Sequence, residues 1–300
     1  MSAIPTFKLN SGYEIPLVGF GTFGGPNAPA EVYEATKFAL KVGYRHFDTA
    51  YSYKTESALG NAIRESKIPR EELFITTKLW NTFHETSHVA PALQRSLKEL
   101  GFKYLDLYLM HWPFAWKFSG YELDDIFPRE ADDTFTVDPN VDYLDTWKGM
   151  EGLVRAGLVR SIGVSNFSVE KLQRLLDNCE IPPAVNQIEI HPYLQQNDLI
   201  EFCGKHNIHL TAFCPLGRPG SPLTTRTSEE PVIIQIAEKY EKTPAQVLLS
   251  WGVQRGYSVI PKSVTPLRIA SNFEIFKLSE DDMAAIKKVG EGRSRILCHL

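Results

Sequence analysis

Hydrophobic and polar positions alternate along this chain in two patterns, one typical of strands and the other of helices. Short runs rich in β-branched and aromatic residues are each followed by a longer stretch whose apolar residues recur at helical spacing. The predicted strands are 17–20, 45–48, 73–78, 105–111, 159–164, 184–188, 208–213 and 257–260. The predicted helices are 30–42, 55–66, 87–100, 143–156, 168–178, 195–206, 230–240, 266–272 and 279–289.

This alternation predicts an α/β fold of the (β/α)8 TIM-barrel type, because eight strand–helix units fit that architecture in number and size. A doubly wound sheet usually has fewer strands. A hairpin over residues 7–15 precedes the units, with Asn10-Ser11-Gly12 as its turn. No linker or shift in composition divides the chain, so we expect one domain over residues 1–300.

Two predicted connections, residues 112–142 and 214–229, are much longer than usual strand-to-helix loops. Each follows the carboxyl end of a predicted strand, which is the rim where barrels of this type carry their sites. We therefore expect both to cover a substrate or a cofactor, in preference to being surface insertions without a role.

Composition excludes several other classes of protein. The chain is 43% hydrophobic and 23% charged, with a formal net charge of −4 and no long basic run, so a nucleic-acid surface is not expected. No apolar run approaches the ~18 residues that a membrane span needs. The start of the chain lacks the features of a signal peptide, and its four cysteines are scattered. These features favour a cytoplasmic protein with free thiols.

Three short motifs match known signatures but fit poorly in context. Residues 19–24 read G-x-G-x-x-G, yet Gly25, Pro26 and Pro29 delay the helix that a dinucleotide-binding turn requires, which favours a plain turn. Residues 84–88 read H-E-x-x-H, but the capping residues inside the motif leave its first histidine outside the helix, so no metal site is predicted. Residues 33–37 read Tyr-x-x-x-Lys and occur too early for the reductase class that uses that pair.

Polar residues able to handle a proton end three of the predicted strands, namely Asp48, Lys78 and His111. The carboxyl ends of parallel strands share one rim, and Tyr53 would lie on the loop just above it. An ammonium lowers the pKa of a nearby phenol, so we expect Lys78, held by Asp48, to make Tyr53 a proton donor. His111 would direct an N–H at a carbonyl oxygen. This set suits hydride addition to a carbonyl, with the hydride supplied by a cofactor.

Three ordered motifs give the chain a resemblance to the aldo-keto reductases over essentially its whole length. Residues 43–50, Gly-Tyr-Arg-His-Phe-Asp-Thr-Ala, are similar to the early signature of that family, which continues at Tyr53, Glu56 and Gly60. Residues 163–167 resemble the central signature and residues 260–269 the late one. The resemblance implies a barrel closed at its bottom by the N-terminal hairpin, with long loops on the C-terminal rim.

The resemblance also implies roles for individual residues, with NADPH as the cofactor. Tyr53 would donate the proton, assisted by Lys78 and Asp48, while His111 orients the carbonyl. The implied cofactor-binding residues are Thr22, Asp48, Ser165, Asn166, Gln187, Phe213, Pro215, Leu216, Lys262, Ser263, Val264, Arg268 and Asn272. Among these residues, the cations Lys262 and Arg268 and the hydroxyl of Ser263 favour the 2′-phosphate of NADPH over the ribose hydroxyl of NADH.

The chain departs from the family pattern at a few positions. Phe213 stands where many relatives carry Tyr, Ser271 where Glu or Gln often faces the adenine, and Phe23 where Trp is common. The segment after Gly292 is short, which suggests an open pocket with broad specificity.

The expected substrate is a small carbonyl compound. Its pocket would be lined by Phe23, Tyr51, Trp80, His111 and Trp112. Aromatic walls favour apolar or aromatic carbonyl compounds, so we expect aldehydes as substrates, with ketones and sugars as further candidates. No arginine is clearly placed to hold a substrate carboxylate, although Arg218 or the long connection could supply one. The alternative function is a nicotinamide-binding redox sensor or regulatory subunit with vestigial catalysis. A monomer or weak dimer is expected.

Overall fold

The structure is a computed structural model that describes residues 5–25, 27–121, 126–217 and 226–291. The strands are β1 (Thr6–Lys8), β2 (Glu14–Pro16), β3 (Phe20–Gly21), β4 (His46–Asp48), β5 (Phe74–Leu79), β6 (Leu105–Met110), β7 (Val159–Ser165), β8 (Val185–Glu189), β9 (His209–Phe213) and β10 (Ser258–Val259). The helices are α1 (Ala28–Val42), α2 (Glu56–Ser66), α3 (Thr86–Leu100), α4 (Tyr143–Arg155), α5 (Val169–Leu176), α6 (Asn197–Lys205), α7 (Pro231–Lys239), α8 (Pro244–Gln254), α9 (Pro266–Phe273) and α10 (Glu280–Lys288).

Eight parallel strands, β3 to β10, form one sheet in which each strand pairs with its neighbours in the sequence. The two ends of this sheet meet at a parallel bridge between Val18 and Val259. There the Gly19 N–H donates to the Val259 carbonyl, and the Val259 N–H donates to the Leu17 carbonyl, each at 2.9 Å. The ring of strands is therefore closed, and the predicted (β/α)8 barrel is confirmed.

The N-terminal hairpin of β1 and β2 covers the amino-terminal end of the barrel. Asn10 in its turn donates to the Pro183 carbonyl at 3.0 Å, and the hydroxyls of Ser11 and Ser161 lie 2.7 Å apart. Apolar hairpin residues complete a small buried cluster with residues from the lower part of the strands, namely Leu9, Ile15, Phe74, Leu107, Leu109, Ala184 and Val185. The expected closure of the bottom is thus confirmed, and it leaves the carboxyl ends of the strands open for a site.

Nine predicted helices are present, but α8 was not predicted. Its central residues 246–252 are all buried, so the segment carries no polar stripe that would reveal a helical period. A local signal was nevertheless available. The Thr243 hydroxyl accepts from the Gln246 N–H and the Gln246 side chain accepts from the Thr243 N–H, which is a capping box.

The described parts of the long connection, 112–121 and 126–142, lie against the rim through backbone and aromatic contacts. The Trp116 N–H donates to the Asn81 carbonyl at 3.0 Å, and the Trp80 indole N–H donates to the Ile126 carbonyl at 2.6 Å. Trp116 also stacks on Phe135, with ring centroids 4.6 Å apart. Within the described ranges, no helix is long and apolar enough to cross a membrane. Arg218 and the segment after Gly292 lie outside the described residues.

Candidate active site

Asp48, Lys78 and His111 meet at the carboxyl ends of neighbouring strands, as the sequence predicts. Asp48 ends β4, Lys78 is the penultimate residue of β5, and His111 directly follows β6. The Lys78 ammonium donates to Asp48 Oδ1 at 2.6 Å and to the Thr49 carbonyl at 2.9 Å. Both members of this ion pair are buried, with 1% and 2% of Lys78 and Asp48 exposed. A charge that is so deeply buried is tolerated because its partner and hydrogen bonds replace water.

Tyr53 lies directly beside this pair. It ends a short 3-10 turn, Tyr51–Tyr53, and the next residue, Lys54, adopts the left-handed conformation with φ of 57°. The Lys78 ammonium is 5.0 Å from the centre of the Tyr53 ring. The His111 ring is 5.8 Å away, edge to face. The structure therefore brings the four predicted catalytic residues into one group.

The electrostatics of Tyr53 differ from the expectation. Burial raises the pKa of the Tyr53 phenol well above its usual value, and the Asp48 carboxylate raises it further. The net shift of the Tyr53 pKa is therefore opposite to the predicted lowering, and burial, which disfavours the phenolate, is its largest cause. Tyr53 consequently keeps its proton at neutral pH.

His111 is a neutral imidazole at neutral pH. Burial lowers its pKa well below the usual value, and the positive charge of Lys78 lowers it further. The backbone on either side is fixed, because the His111 N–H donates to the Leu79 carbonyl at 3.1 Å and the Asn166 amide donates to the His111 carbonyl at 3.0 Å. A neutral imidazole held in this way can donate one N–H to an oxygen without carrying a charge.

Polar side chains at the end of β7 and within β8 join the group. Asn166, at φ of 64°, donates to the Ser165 hydroxyl at 3.1 Å, and Ser165 donates to the Gln187 carbonyl at 2.8 Å. Gln187 in turn donates to the second carboxylate oxygen of Asp48 at 2.7 Å. The Gln187 amide is therefore bonded to the ion pair, and Asn166 is linked to Gln187 through Ser165. The half-buried Phe213 ends β9, which is the next strand of the barrel after β8.

The remaining predicted cofactor residues fall into two sets. Thr22, Pro215 and Leu216 follow the ends of β3 and β9, and the Thr22 hydroxyl donates to the Asp48 carbonyl at 3.0 Å. The second set follows β10 and continues into α9. Its members are Lys262, Ser263, Val264, Arg268 and Asn272.

The second set carries two exposed cations at the start of a helix. Lys262 precedes α9 and Arg268 lies in its first turn, and neither has an ion-pair partner among the described residues. The Ser263 hydroxyl accepts from the Thr265 N–H at 3.1 Å. A Cβ placed on Gly24 would lie 3.7 Å from the Lys262 ammonium, which puts that charge beside the turn that follows β3. Unpaired cations at a helix N-terminus fit a phosphate group.

The predicted pocket wall is only partly present. Phe23 is 60% exposed, and the centroids of the Phe23 and Tyr53 rings are 5.1 Å apart. Trp80 is buried, with its ring centroid 5.0 Å from that of His111. Trp112 is half-buried and stacks beside His111. Tyr51 does not join them, because its ring packs on Phe83 under the surface and its hydroxyl donates to a backbone carbonyl of the long connection.

Sequence reasoning missed two residues near this group. Phe127 is 43% exposed and packs edge to face on Trp80 at 5.4 Å. Cys214 follows β9 at φ of 46°, close enough for a thiolate there to raise the pKa of Tyr53. Phe127 carried no usable signal, since its position depends on the path of a long loop. Cys214 directly follows the predicted Phe213, so its place in the sequence did point to the rim.

The three discounted motifs have structural explanations. α1 begins at Ala28, after the glycine-rich turn has ended. His84 precedes α3, as expected, whereas His88 lies inside the helix with its ring 3.9 Å from Phe118. Tyr33 donates to Glu65 at 2.6 Å across the α1–α2 contact. Among the described residues, no group of three or more His, Cys, Asp or Glu is arranged to hold a metal ion.

Comparisons with known proteins agree with this geometry. The family model described as the Aldo/keto reductase family matches residues 17–291. The chain is 46% identical over 296 residues to aldo-keto reductase family 1 member A1 of Xenopus tropicalis, covering 95% of this chain and 88% of that protein. It is 45% identical over 280 residues to the same-named protein of Homo sapiens, covering 89% and 83%.

A solved structure is also similar. The aldose reductase of Schistosoma japonicum superimposes with a TM-score of 0.88 at 42% sequence identity, covering 95% of this chain and 91% of the other. The chain therefore belongs to the aldo/keto reductase family, whose members are oxidoreductases that act on carbonyl groups with a nicotinamide cofactor.

Proposed function

We propose that this protein reduces aldehydes, and some ketones, to alcohols with NADPH, and that Tyr53 donates the proton. The observation that carries the proposal is the buried Lys78–Asp48 pair, which lies beside a protonated phenol and a neutral imidazole. A reduction needs an acid that still holds its proton at working pH, and the raised pKa of Tyr53 meets that need.

The substrate oxygen would be held between Tyr53 and His111. His111 donates an N–H to that oxygen and stabilises the negative charge that develops there, while the phenol delivers its proton. Lys78 then stabilises the phenolate that remains, because its ammonium is 5.0 Å from the Tyr53 ring. Asp48 keeps Lys78 oriented through the 2.6 Å contact.

The residues around this group fit a nicotinamide dinucleotide. Ser165, Asn166 and Gln187 offer amide and hydroxyl groups for a carboxamide, and Phe213 offers an aromatic face. When bound, the reduced cofactor supplies the hydride that no side chain provides. Lys262 and Arg268, which have no ion-pair partner within the described part of the chain, favour a 2′-phosphate, and this supports NADPH over NADH.

Substrate choice follows from the wall around Tyr53. Phe23, Trp112 and Phe127 present apolar aromatic surface, which favours aromatic and aliphatic aldehydes through burial. The proposed partner is therefore a small carbonyl compound.

The test follows NADPH absorbance while a panel of aromatic aldehydes, aliphatic aldehydes, ketones and sugars is added, with NADH in parallel. We expect oxidation of one NADPH for each carbonyl reduced, faster with aldehydes than with ketones and faster with NADPH than with NADH. Tight NADPH binding without turnover on any carbonyl would contradict the proposal and support the redox-sensor alternative.

A further inference from the structure

Thr55 occupies a capping position at the start of a helix, but its hydroxyl does not cap that helix. α2 begins at Glu56 with Thr55 as its N-cap, and the Thr55 side chain makes no hydrogen bond to the first turn. Its backbone is near the helical region, with φ of −115° and ψ of −2°. Thr243, in contrast, is extended and caps α8. A threonine at this position usually caps its helix with the hydroxyl, whereas the Thr55 hydroxyl bonds to other side chains.

The Thr55 hydroxyl lies between two other fully buried threonine hydroxyls. It is 3.2 Å from the hydroxyl of Thr22 and 3.1 Å from that of Thr49, and all three residues are 0% exposed. Buried hydroxyls that are arranged in this way form a network in which every proton must be placed.

The direction of each hydrogen bond can be assigned, because a hydroxyl has only one proton to donate. The Thr22 hydroxyl donates to the Asp48 carbonyl at 3.0 Å, so it can only accept from Thr55. Thr55 has then used its proton and must accept from Thr49. The order is Thr49 to Thr55 to Thr22 to the Asp48 carbonyl, with Thr55 as both acceptor and donor at the centre.

This chain of hydroxyls connects both ends of the loop that carries Tyr53. Thr49 follows β4 at the start of that loop, and Thr55 closes it before α2. Thr22 extends the connection to the end of β3. The Thr49 carbonyl also accepts from the Lys78 ammonium at 2.9 Å, so the same short segment fixes the partner of Tyr53.

We infer that Thr55 is a positioning residue for Tyr53, acting through its buried hydroxyl bonds to Thr49 and Thr22. The inference rests on the proposed function, since it assigns Thr55 to the placement of the proposed proton donor. Removing the hydroxyl leaves the Thr49 proton without an acceptor in a buried site, and the loop moves to satisfy it. A displacement of about 1 Å at a reacting group reduces turnover by about 100-fold.

The experiment compares Thr55→Val, which keeps the shape and removes the hydroxyl, with Thr55→Ser, which keeps the hydroxyl. Thr243→Val is the matched control, because it removes the hydroxyl of an N-cap threonine that does cap its helix, far along the chain. The readouts are kcat with a good aldehyde, the Kd for NADPH, and hydrogen exchange of the Tyr53 and Lys54 amides, which donate within the loop to Ala50 and Tyr51.

For Thr55→Val we expect kcat to fall by about 10- to 100-fold. We expect the Kd for NADPH to stay within about threefold of wild type, and faster exchange of the two loop amides. Thr55→Ser should restore kcat and exchange, and Thr243→Val should keep both. Wild-type kcat in Thr55→Val, an equal loss in Thr243→Val, or no recovery in Thr55→Ser would each overturn the inference. If the wild type reduces no carbonyl, the proposed function fails, and unchanged exchange in Thr55→Val would then separately overturn the role of Thr55.

Discussion

Glu56 gives the stability of this protein a specific dependence on pH. It is the first residue of α2, only 5% exposed, and its carboxyl accepts from the Thr77 hydroxyl at 2.6 Å. Burial raises its pKa from 4.5 to about 7, because the hydroxyls of Thr77 and Ser96, which lower the pKa, do not replace the water lost by the charged form. Glu99 raises this pKa further, whereas Arg95 opposes the shift. The charge of Lys78 and the phenol of Tyr108 also face Glu56.

The sign of the effect follows from proton binding. Between the unfolded pKa of 4.5 and the folded pKa of about 7, the native state holds more protons than the unfolded state, so stability falls as pH rises. The folded and unfolded pKa values differ by about 2.5, and each pKa unit corresponds to about 1.36 kcal/mol. The free energy of unfolding therefore falls by about 3 kcal/mol as pH rises, and the loss is complete above the folded pKa. Glu56→Gln keeps the shape and the acceptor for Thr77 but removes this titration.

The assay is urea unfolding of wild type and Glu56→Gln across this pH range. The stability of the variant relative to wild type should rise by about 3 kcal/mol from the acid end of the range to pH values above the folded pKa. Glu280→Gln is the control, because Glu280 is also the first residue of a helix, α10, but is exposed, and its relative stability should stay nearly constant. A difference between Glu56→Gln and wild type that does not change with pH would refute the reasoning.

Two further predictions concern the site. Because Tyr53 keeps its proton and His111 stays neutral, kcat for reduction should be flat between their ordinary pKa values of 6.5 and 10.0, and a titration of kcat inside that range would contradict the roles given to both. Lys262→Met should weaken NADPH binding by about 10- to 100-fold and leave NADH binding nearly unchanged, because only NADPH carries the 2′-phosphate. Fluorescence titration measures both affinities, with Lys277→Met as the exposed-lysine control. Equal losses for both cofactors would argue against a 2′-phosphate contact.

The sequence was sufficient for the barrel and for bringing the predicted catalytic residues together, because both depend on local pattern and strand order. Asp48, Lys78 and His111 each end a short apolar run, and parallel strands must bring such ends to one rim. The helix α8 was missed because its burial on all sides removes the polar stripe from which amphipathic helices are identified.

The parts that could not be predicted depend on contacts distant in the sequence. The raised pKa of Tyr53 results chiefly from burial, whose extent at this position has no sequence signal, and the Asp48 carboxylate adds to it. The position of Phe127 against Trp80 depends on how the connection 112–142 folds back. Tyr51 is predicted in the pocket wall because it adjoins the loop that carries Tyr53, but its side chain turns into the core.

The most direct test of the central claim, that the Tyr53 phenol delivers the proton, is kcat of Tyr53→Phe together with its Kd for NADPH. The account predicts that kcat falls by about 100- to 10,000-fold, since a positioned general acid contributes that much, while NADPH binds nearly as in wild type. Tyr44→Phe is the control, because it removes another buried tyrosine hydroxyl, one that donates to the Ile269 carbonyl at 3.0 Å, and it should keep kcat. Turnover by Tyr53→Phe at the wild-type rate would contradict the account.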